Sequence, residues 1–146
     1  MSSTTLTLKV LPLISSTMLT TIGIGSLITF PTFLNTTPST ITQLFKSNFN
    51  RQVGWVIGSG SFASLSGIYV YHYLQGNRYY RYGYIFSAIH FLYVPIIMGS
   101  VERLFYTKQQ DQPYHMKKWL KIHSIRLITD IAATVCYSLA LINQLD

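Results

Sequence analysis

Long apolar runs separated by short polar segments dominate the sequence. No Lys, Arg, Asp or Glu occurs in residues 10–45, 52–77 or 82–101. Each interval is long enough for a helix that crosses a hydrocarbon layer about 30 Å thick, which takes about 20 residues. A fourth apolar segment follows, although it carries charges. The pattern predicts an all-α protein, a four-helix transmembrane bundle, with spans at about residues 10–34, 53–74, 82–101 and 119–142.

The segments between these spans are predicted to be connections. Residues 35–52 would form a loop that contains an amphipathic stretch, and residues 103–118 would form a polar loop. Pro12 and Pro31 are interpreted as the bounds of the first span, since proline disrupts a helix interior. Pro95 lies within the third span, where neighbouring helices can satisfy the carbonyl that it frees.

The composition favours a membrane protein over a water-soluble one. Only 10% of residues are charged and 49% are hydrophobic, whereas a soluble domain carries about 25% charged residues. We therefore interpret residues 1–146 as one integral membrane domain, with an endomembrane as the favoured location. A cleaved signal peptide is the alternative for the first run, but that run exceeds the usual apolar core of 7–15 residues.

The net charge of +7 does not indicate a nucleic-acid partner. The basic residues lie between the apolar runs, where membrane proteins keep them, and no nucleic-acid-binding motif accompanies them. The two longer connections contain six Lys or Arg residues, whereas the opposite side of the membrane has three. Because Lys and Arg are more frequent in cytoplasmic segments, we expect these two connections to lie in the cytoplasm. The lipid bilayer and its anionic headgroups are the expected surroundings. The lone cysteine, Cys136, excludes an intramolecular disulfide.

Two patterns of small residues predict close helix contacts. Gly54 and Gly58 form a GxxxG pair in the second span. In the first span, small residues recur at every fourth position: Thr17, Thr21, Gly25 and Thr29. Small side chains allow helix backbones to approach closely in lipid. They support a non-catalytic alternative, in which the chain is a structural or assembly protein that binds another membrane protein through Gly/Ser/Thr helix faces.

The residues most suited to chemistry lie on the fourth span. Trp119, His123, Arg126 and Asp130 follow at steps of four, three and four, so a helix presents them on one face. An ionisable residue inside a span costs about 2.5–3.5 kcal/mol on insertion scales and usually faces the protein interior. We therefore expect this face to point into the bundle.

Across the bundle, His90 and Tyr93 of the third span are candidates for substrate binding in a polar pocket. A structural role remains open for each group. Arg126 and Asp130 can form an ion pair that only fixes packing, Trp119 can be an interface anchor, and His123 and His90 can be packing histidines.

No metal or cofactor is expected from the motifs. The sequence has no His-x-x-His, His-x-x-x-His or Glu-x-x-His pattern, which bundle metal sites commonly use. It also has no phosphate-binding loop and no nucleophilic serine elbow. The candidate partners are therefore a hydrophobic small molecule or another membrane protein.

In four stretches, the chain resembles the family of small four-span membrane proteins that includes the fungal anthrone oxygenases. The first stretch is a small-residue helix that ends at a proline, and the fourth is a Trp–His–Arg helix start. The stretches are Gly25–Leu34, Gln43–Gly58, Val94–Met98 with Glu102–Leu104, and Trp119–Arg126. Order and spacing are kept over about residues 20–140. Where the family has Thr-Asn after the Pro–Met segment, this chain has Val101 and Glu102, so its pocket differs if that Asn lines the family's pocket.

The resemblance implies a cofactor-independent oxygenase that acts on a hydrophobic aromatic substrate, since anthrone oxygenases use molecular oxygen without metal or flavin. Trp119, His123 and Arg126 are then the catalytic candidates. His123 would remove a phenolic proton, and Arg126 would stabilise the resulting oxyanion or a superoxide partner. Asp130 would hold Arg126 in place.

Overall fold

Four long helices make up nearly all of the described part of the chain. The computed structural model describes residues 3–106 and 109–143. The helices are α1 (Ser3–Phe33), α2 (Pro38–Tyr73), α3 (Arg78–Tyr106) and α4 (Gln112–Ile142), with a short 3-10 turn at Gln109–Asp111 before α4. The predicted all-α, four-helix architecture is confirmed.

The helices form a ring of neighbours. α1 packs against α2 and α4, and α3 packs against the same two helices, so that α1 and α3 lie diagonally opposite. Short links between consecutive helices make neighbours antiparallel. We call the end that carries residues 34–37 the α1–α2 end, and the end that carries residues 74–77 the α2–α3 end.

The distribution of side chains is that of an integral membrane protein. All four helices are long and apolar enough to span a bilayer, and at 1.5 Å rise per residue each is longer than the hydrocarbon layer of about 30 Å. The outer surface is apolar: Ile28, Leu65, Leu92 and Ile128 are between 65% and 70% exposed. The interior, in contrast, contains histidine, arginine and aspartate side chains.

The helices extend beyond the predicted spans, most of all at the start of α2. Residues 38–52 are helical, so the loop predicted for residues 35–52 is wrong for that stretch. Pro38 occupies the first turn, where its fixed φ favours a helix and its missing N–H is not needed. The amphipathic stretch then buries Ile41 and Phe45, four residues apart, against the other helices.

The first helix runs past its predicted bounds. It continues through Pro12 and Pro31 instead of ending at them. The small residues predicted to form a helix contact face are all exposed, so the other described helices do not cover them: Thr17, Thr21, Gly25 and Thr29. α1 instead turns Leu19, Gly23 and Ser26 inward. The outward hydroxyls need no neighbouring helix, because the helix's own carbonyls can accept their hydrogen bonds, as Thr17 O does from Thr21 Oγ1 at 2.9 Å.

The interior is divided into two apolar clusters with a polar layer between them. The cluster at the α1–α2 end is rich in aromatic residues and comprises Phe30, Phe33, Ile41, Phe45, Ile97, Val101, Leu104, Met116 and Trp119. The cluster at the α2–α3 end comprises Ala63, Val70, Tyr80, Ala133, Tyr137 and Ala140. The buried charged side chains of α4, Arg126 and Asp130, lie at the level between these clusters.

Tyr137 fixes how closely α4 approaches α2 and α3. Its ring lies against Gly67 and Gly83, and its hydroxyl donates to Ala63 O at 2.7 Å. A Cβ built on Gly83 would lie 2.6 Å from Tyr137 Cδ1, and one on Gly67 would lie 3.0 Å from Tyr137 Cζ. The two glycines therefore provide the space that this ring occupies.

Candidate functional site

The polar face of α4 is turned into the bundle. Trp119, His123 and Arg126 are each 4% exposed, and Asp130 is 0% exposed. Because the uncovered surface of the helix faces acyl chains, this orientation removes the ionisable groups from lipid. The burial of Trp119 among aromatic residues contradicts the alternative of an interface anchor.

An aspartate, an arginine and a histidine meet in the polar layer. His90 Nδ1–H donates to Asp130 Oδ1 at 2.9 Å, which leaves His90 Nε2 as an acceptor for Arg126 Nη1, 3.5 Å away. Arg126 Nε lies 3.8 Å from Asp130 Oδ2. We call this set the His90–Asp130–Arg126 triad. With a neutral imidazole, its two formal charges cancel.

The triad leaves donors unused. Within residues 3–106 and 109–143, Arg126 Nη2 and Nε and the indole nitrogen of Trp119 have no hydrogen-bond partner, although all three are buried. Asp130 Oδ2 also lacks a hydrogen bond in that part of the chain. Buried polar atoms are nearly always paired, so atoms of this kind indicate a place where water or a ligand binds.

His123 is held by contacts of its own. Its Nε2 lies 3.2 Å from Gly23 O, and since a carbonyl can only accept, Nε2 carries a proton, which leaves the lone pair of the neutral imidazole on Nδ1. The ring stacks on Trp119, with centroids 4.6 Å apart and planes 14° from parallel. His123 is therefore an oriented imidazole whose Nδ1 is the basic nitrogen of the neutral form.

Gly23 is a site residue that sequence reasoning missed. A Cβ at this position would lie 2.7 Å from Leu127 Cδ1 and 3.7 Å from Arg126 Nη2. The missing side chain thus lets α4 come close enough for His123 to reach the Gly23 carbonyl. Its sequence signal was weak, because nine glycines occur in the chain and neither small-residue pattern includes this one.

Two small cavities surround the Arg126 guanidinium. The first measures about 50 Å³ and the second about 80 Å³. The first is lined by Ser26, Phe30, Phe49, Gln52, Val53, Val56, Ile97, Trp119, His123 and Arg126. The second is lined by Phe49, Val53, Val56, Ile57, His90, Val94, Ile97, Met98 and Arg126. We call them the first and the second inner cavity. Since they share five lining residues, they lie next to each other beside Arg126.

The sequence-predicted site residues do not all reach these cavities. His123, Arg126 and Trp119 line the first inner cavity, and His90 lines the second. Asp130 lines neither and contacts His90 and Arg126 instead. Tyr93 also lines neither and packs, half-buried, against the aromatic cluster at the α1–α2 end.

Two further polar residues of the first inner cavity were not predicted from the sequence. Ser26 Oγ donates to Gln52 Oε1 at 2.9 Å, which links α1 to α2 beside the cavity. Gln52 was placed in a loop, whereas the structure places it in the fourth turn of α2. Its position could not be recognised because the start of α2 was predicted at residue 53, fifteen residues after its actual start at Pro38.

The described residues do not gather a set of metal ligands. Among residues 3–106 and 109–143, no group of three or more His, Cys, Asp or Glu side chains is close enough to hold a metal ion. The triad contributes one imidazole and one carboxylate, and both are already bonded to each other. In the triad, His90 and Asp130 instead hold the Arg126 guanidinium in position.

Comparisons with known proteins add no family to this picture. No protein-family model, no curated protein and no solved structure matches the chain. What the site can do follows from its own geometry. A buried guanidinium with unused donors, a basic imidazole nitrogen and apolar walls together suit a hydrophobic ligand that carries an oxygen atom.

Proposed function

We propose that the protein is a membrane-embedded, cofactor-independent oxygenase of a hydrophobic aromatic compound that has a phenolic hydroxyl and an activated methylene. The observation that supports this most is the Arg126 guanidinium, which is 4% exposed, borders both inner cavities and has unused donors. The resemblance of four stretches to the anthrone-oxygenase-like family supports the same reaction class.

In this proposal, His123 and Arg126 act on the substrate in turn. The free lone pair at His123 Nδ1 accepts a proton from the substrate, which becomes an electron-rich anion. Arg126 Nη2 donates a hydrogen bond to the oxygen that gains charge, and the burial of the guanidinium strengthens that bond. Asp130 and His90 hold the guanidinium, and so act as positioning residues.

Molecular oxygen is the only co-reactant needed. The overall reaction is RH₂ + O₂ → R=O + H₂O, where RH₂ contains the methylene. The methylene carbon loses four electrons and both hydrogens; one oxygen atom forms its new carbonyl bond, and the other leaves as water. The substrate anion supplies the electrons, so the chain itself need only move a proton and stabilise negative charge.

The test is turnover by purified protein in lipid vesicles, with dihydroxyanthrone as the substrate. His123→Gln keeps an amide donor for the Gly23 carbonyl but removes the basic nitrogen. We expect near-normal abundance and turnover reduced by about 100- to 10,000-fold, the usual contribution of a positioned base. Oxygen uptake and the appearance of dihydroxyanthraquinone are measured together, against the spontaneous rate in empty vesicles.

Ser124→Ala is the matched control, since Ser124 is next in the chain but exposed, with its hydroxyl bonded to Leu120 O. This variant should retain full turnover. If the His123→Gln and Arg126→Lys variants both turned over the substrate at the wild-type rate, the proposed reaction would be refuted.

A second candidate function, assembly with another membrane protein, is favoured by one observation. Gly54 is exposed, and a Cβ built on Gly54 or Gly58 would have no atom within 4 Å. The GxxxG face is thus open to the lipid side, as a helix-binding surface must be before its partner arrives. The double variant Gly54→Leu/Gly58→Leu should abolish cross-linking to a partner helix while leaving dihydroxyanthrone turnover intact. Loss of turnover instead would link this face to the reaction.

A further inference from the structure

A groove runs between α2 and α3 on the outside of the bundle, towards the α1–α2 end. It measures about 420 Å³, and its walls are Phe49 of α2 and the stretch of α3 from Met98 to Tyr106. Gly99 and Glu102 in this stretch are exposed, and Met98 is 47% exposed. The groove therefore opens on the outer surface of the bundle.

Phe49 connects this groove to the buried site. It lines the groove and both inner cavities, and Met98 lines the groove and the second inner cavity. The Phe49 ring is half-buried, stacked on Phe45 at 5.7 Å and edge-on to Phe105 at 5.9 Å. One aromatic side chain thus stands where the three spaces meet.

The sizes of these spaces determine where a ligand fits. Small-molecule pockets measure about 300–1,000 Å³, so cavities of about 50 and 80 Å³ cannot hold an aromatic ring system. They suit a few waters or a diatomic gas molecule, as one water takes about 30 Å³. The groove of about 420 Å³ has the required size. Arg126, which has unused buried donors, lines both inner cavities together with Phe49.

We infer that the α2–α3 groove is where a membrane-dissolved, planar aryl ketone or phenol binds, and that Phe49 is the side chain which must move for the oxygen-bearing edge of the ligand to reach Arg126. This inference rests on the proposed function and adds to it an access route, a docking site and a specificity residue. The exposed carboxylate of Glu102 on the groove wall disfavours ligands with an acidic group at that end. The ring system remains in the groove while its oxygen-bearing edge passes Phe49, which lines both inner cavities, towards Arg126 and His123.

Gly99 offers a way to close the groove. A Cβ built on Gly99 would have no atom within 4 Å, so a large side chain there should fill the groove without a clash. Ala88 is the matched control: it is exposed on the same helix, and eleven residues amount to about three turns, which puts it on the same face beyond the groove. The variants are Gly99→Phe and Ala88→Phe.

The experiment measures association of dihydroxyanthraquinone, which lacks the oxidisable methylene, by stopped-flow quenching of tryptophan fluorescence in vesicles. A Trp55→Phe background leaves Trp119, which lines the first inner cavity, as the reporter. We expect Gly99→Phe to slow association about tenfold or more, Ala88→Phe to leave it unchanged, and Phe49→Ala to accelerate it, because opening past Phe49 limits the rate.

A second form of the test avoids any effect of Gly99→Phe on folding. In a Cys136→Ala background, Gly99→Cys is folded first and then labelled with a bulky maleimide, which should produce the same tenfold loss. Equal association rates for the blocked and control proteins would overturn the access route while leaving the proposed function intact. No association with the wild-type protein would overturn both.

Discussion

At the scale of single residues, the sequence predicted the inward face of α4 and the pairing of Arg126 with Asp130, but not the bonds between helices. The spacing of Trp119, His123, Arg126 and Asp130 indicated one inward face, and the structure has it. The bond from His90 to Asp130 was not predictable, because the height of one helix against another depends on packing along the whole interface. The same holds for the bond from His123 to the Gly23 carbonyl.

The ion pair of the triad leads to a stability prediction. Asp130→Leu leaves the Arg126 charge buried without compensation, which should lower the free energy of unfolding by about 3–5 kcal/mol. The double variant Arg126→Leu/Asp130→Leu removes both charges and should recover most of that loss. Unfolding of each protein in bicelles by added detergent, followed by circular dichroism, measures the difference.

The recovery distinguishes a charge effect from a packing effect. If the double variant were as unstable as Asp130→Leu alone, the loss would come from the cavity or from His90 instead, and the ion pair would not govern stability. Arg126→Leu/Asp130→Leu should in either case lack turnover, since the guanidinium is absent.

At the scale of helices, the number and type of elements followed from the apolar runs, whereas the packed face of α2 did not follow from its small residues. The GxxxG pattern marked Gly54 and Gly58, yet the glycines that meet the Tyr137 ring are Gly67 and Gly83. The spacing of small residues shows that another part of the protein can approach the helix closely, but it does not show which residue does so. The large partner, Tyr137, lies more than fifty residues away in the chain.

These contacts predict unequal effects of one substitution on α3. Gly83→Ala forces a methyl group into the Tyr137 ring, which should cost about 1–3 kcal/mol of unfolding free energy. Gly99→Ala on the same helix meets open space and should be neutral or slightly stabilising, because alanine favours helix. The same bicelle unfolding assay compares them. Equal stability of the two variants would contradict the close packing of Tyr137.

At the scale of the whole molecule, the chain surrounds a polar layer with two apolar clusters and an apolar exterior. Lipid tails are as apolar as the helix surfaces, so hydrophobicity inserts these helices without holding them together. Aromatic packing at the α1–α2 end and the hydrogen bonds of the polar layer hold them together instead. The polar layer also supplies the proposed site, so stability and function depend on the same orientation of α4.

That orientation can be measured with the two native tryptophans. Trp55 on α2 is 63% exposed, whereas Trp119 on α4 is 4% exposed and stacks on His123. In vesicles of lipids with brominated acyl chains, the variant Trp119→Phe leaves Trp55, whose fluorescence should be quenched strongly. The variant Trp55→Phe leaves Trp119, whose fluorescence should be largely protected, because the polar face of α4 points inward. If Trp119 were quenched as strongly as Trp55, the polar face of α4 would have to face the lipid, and the proposed site would be contradicted.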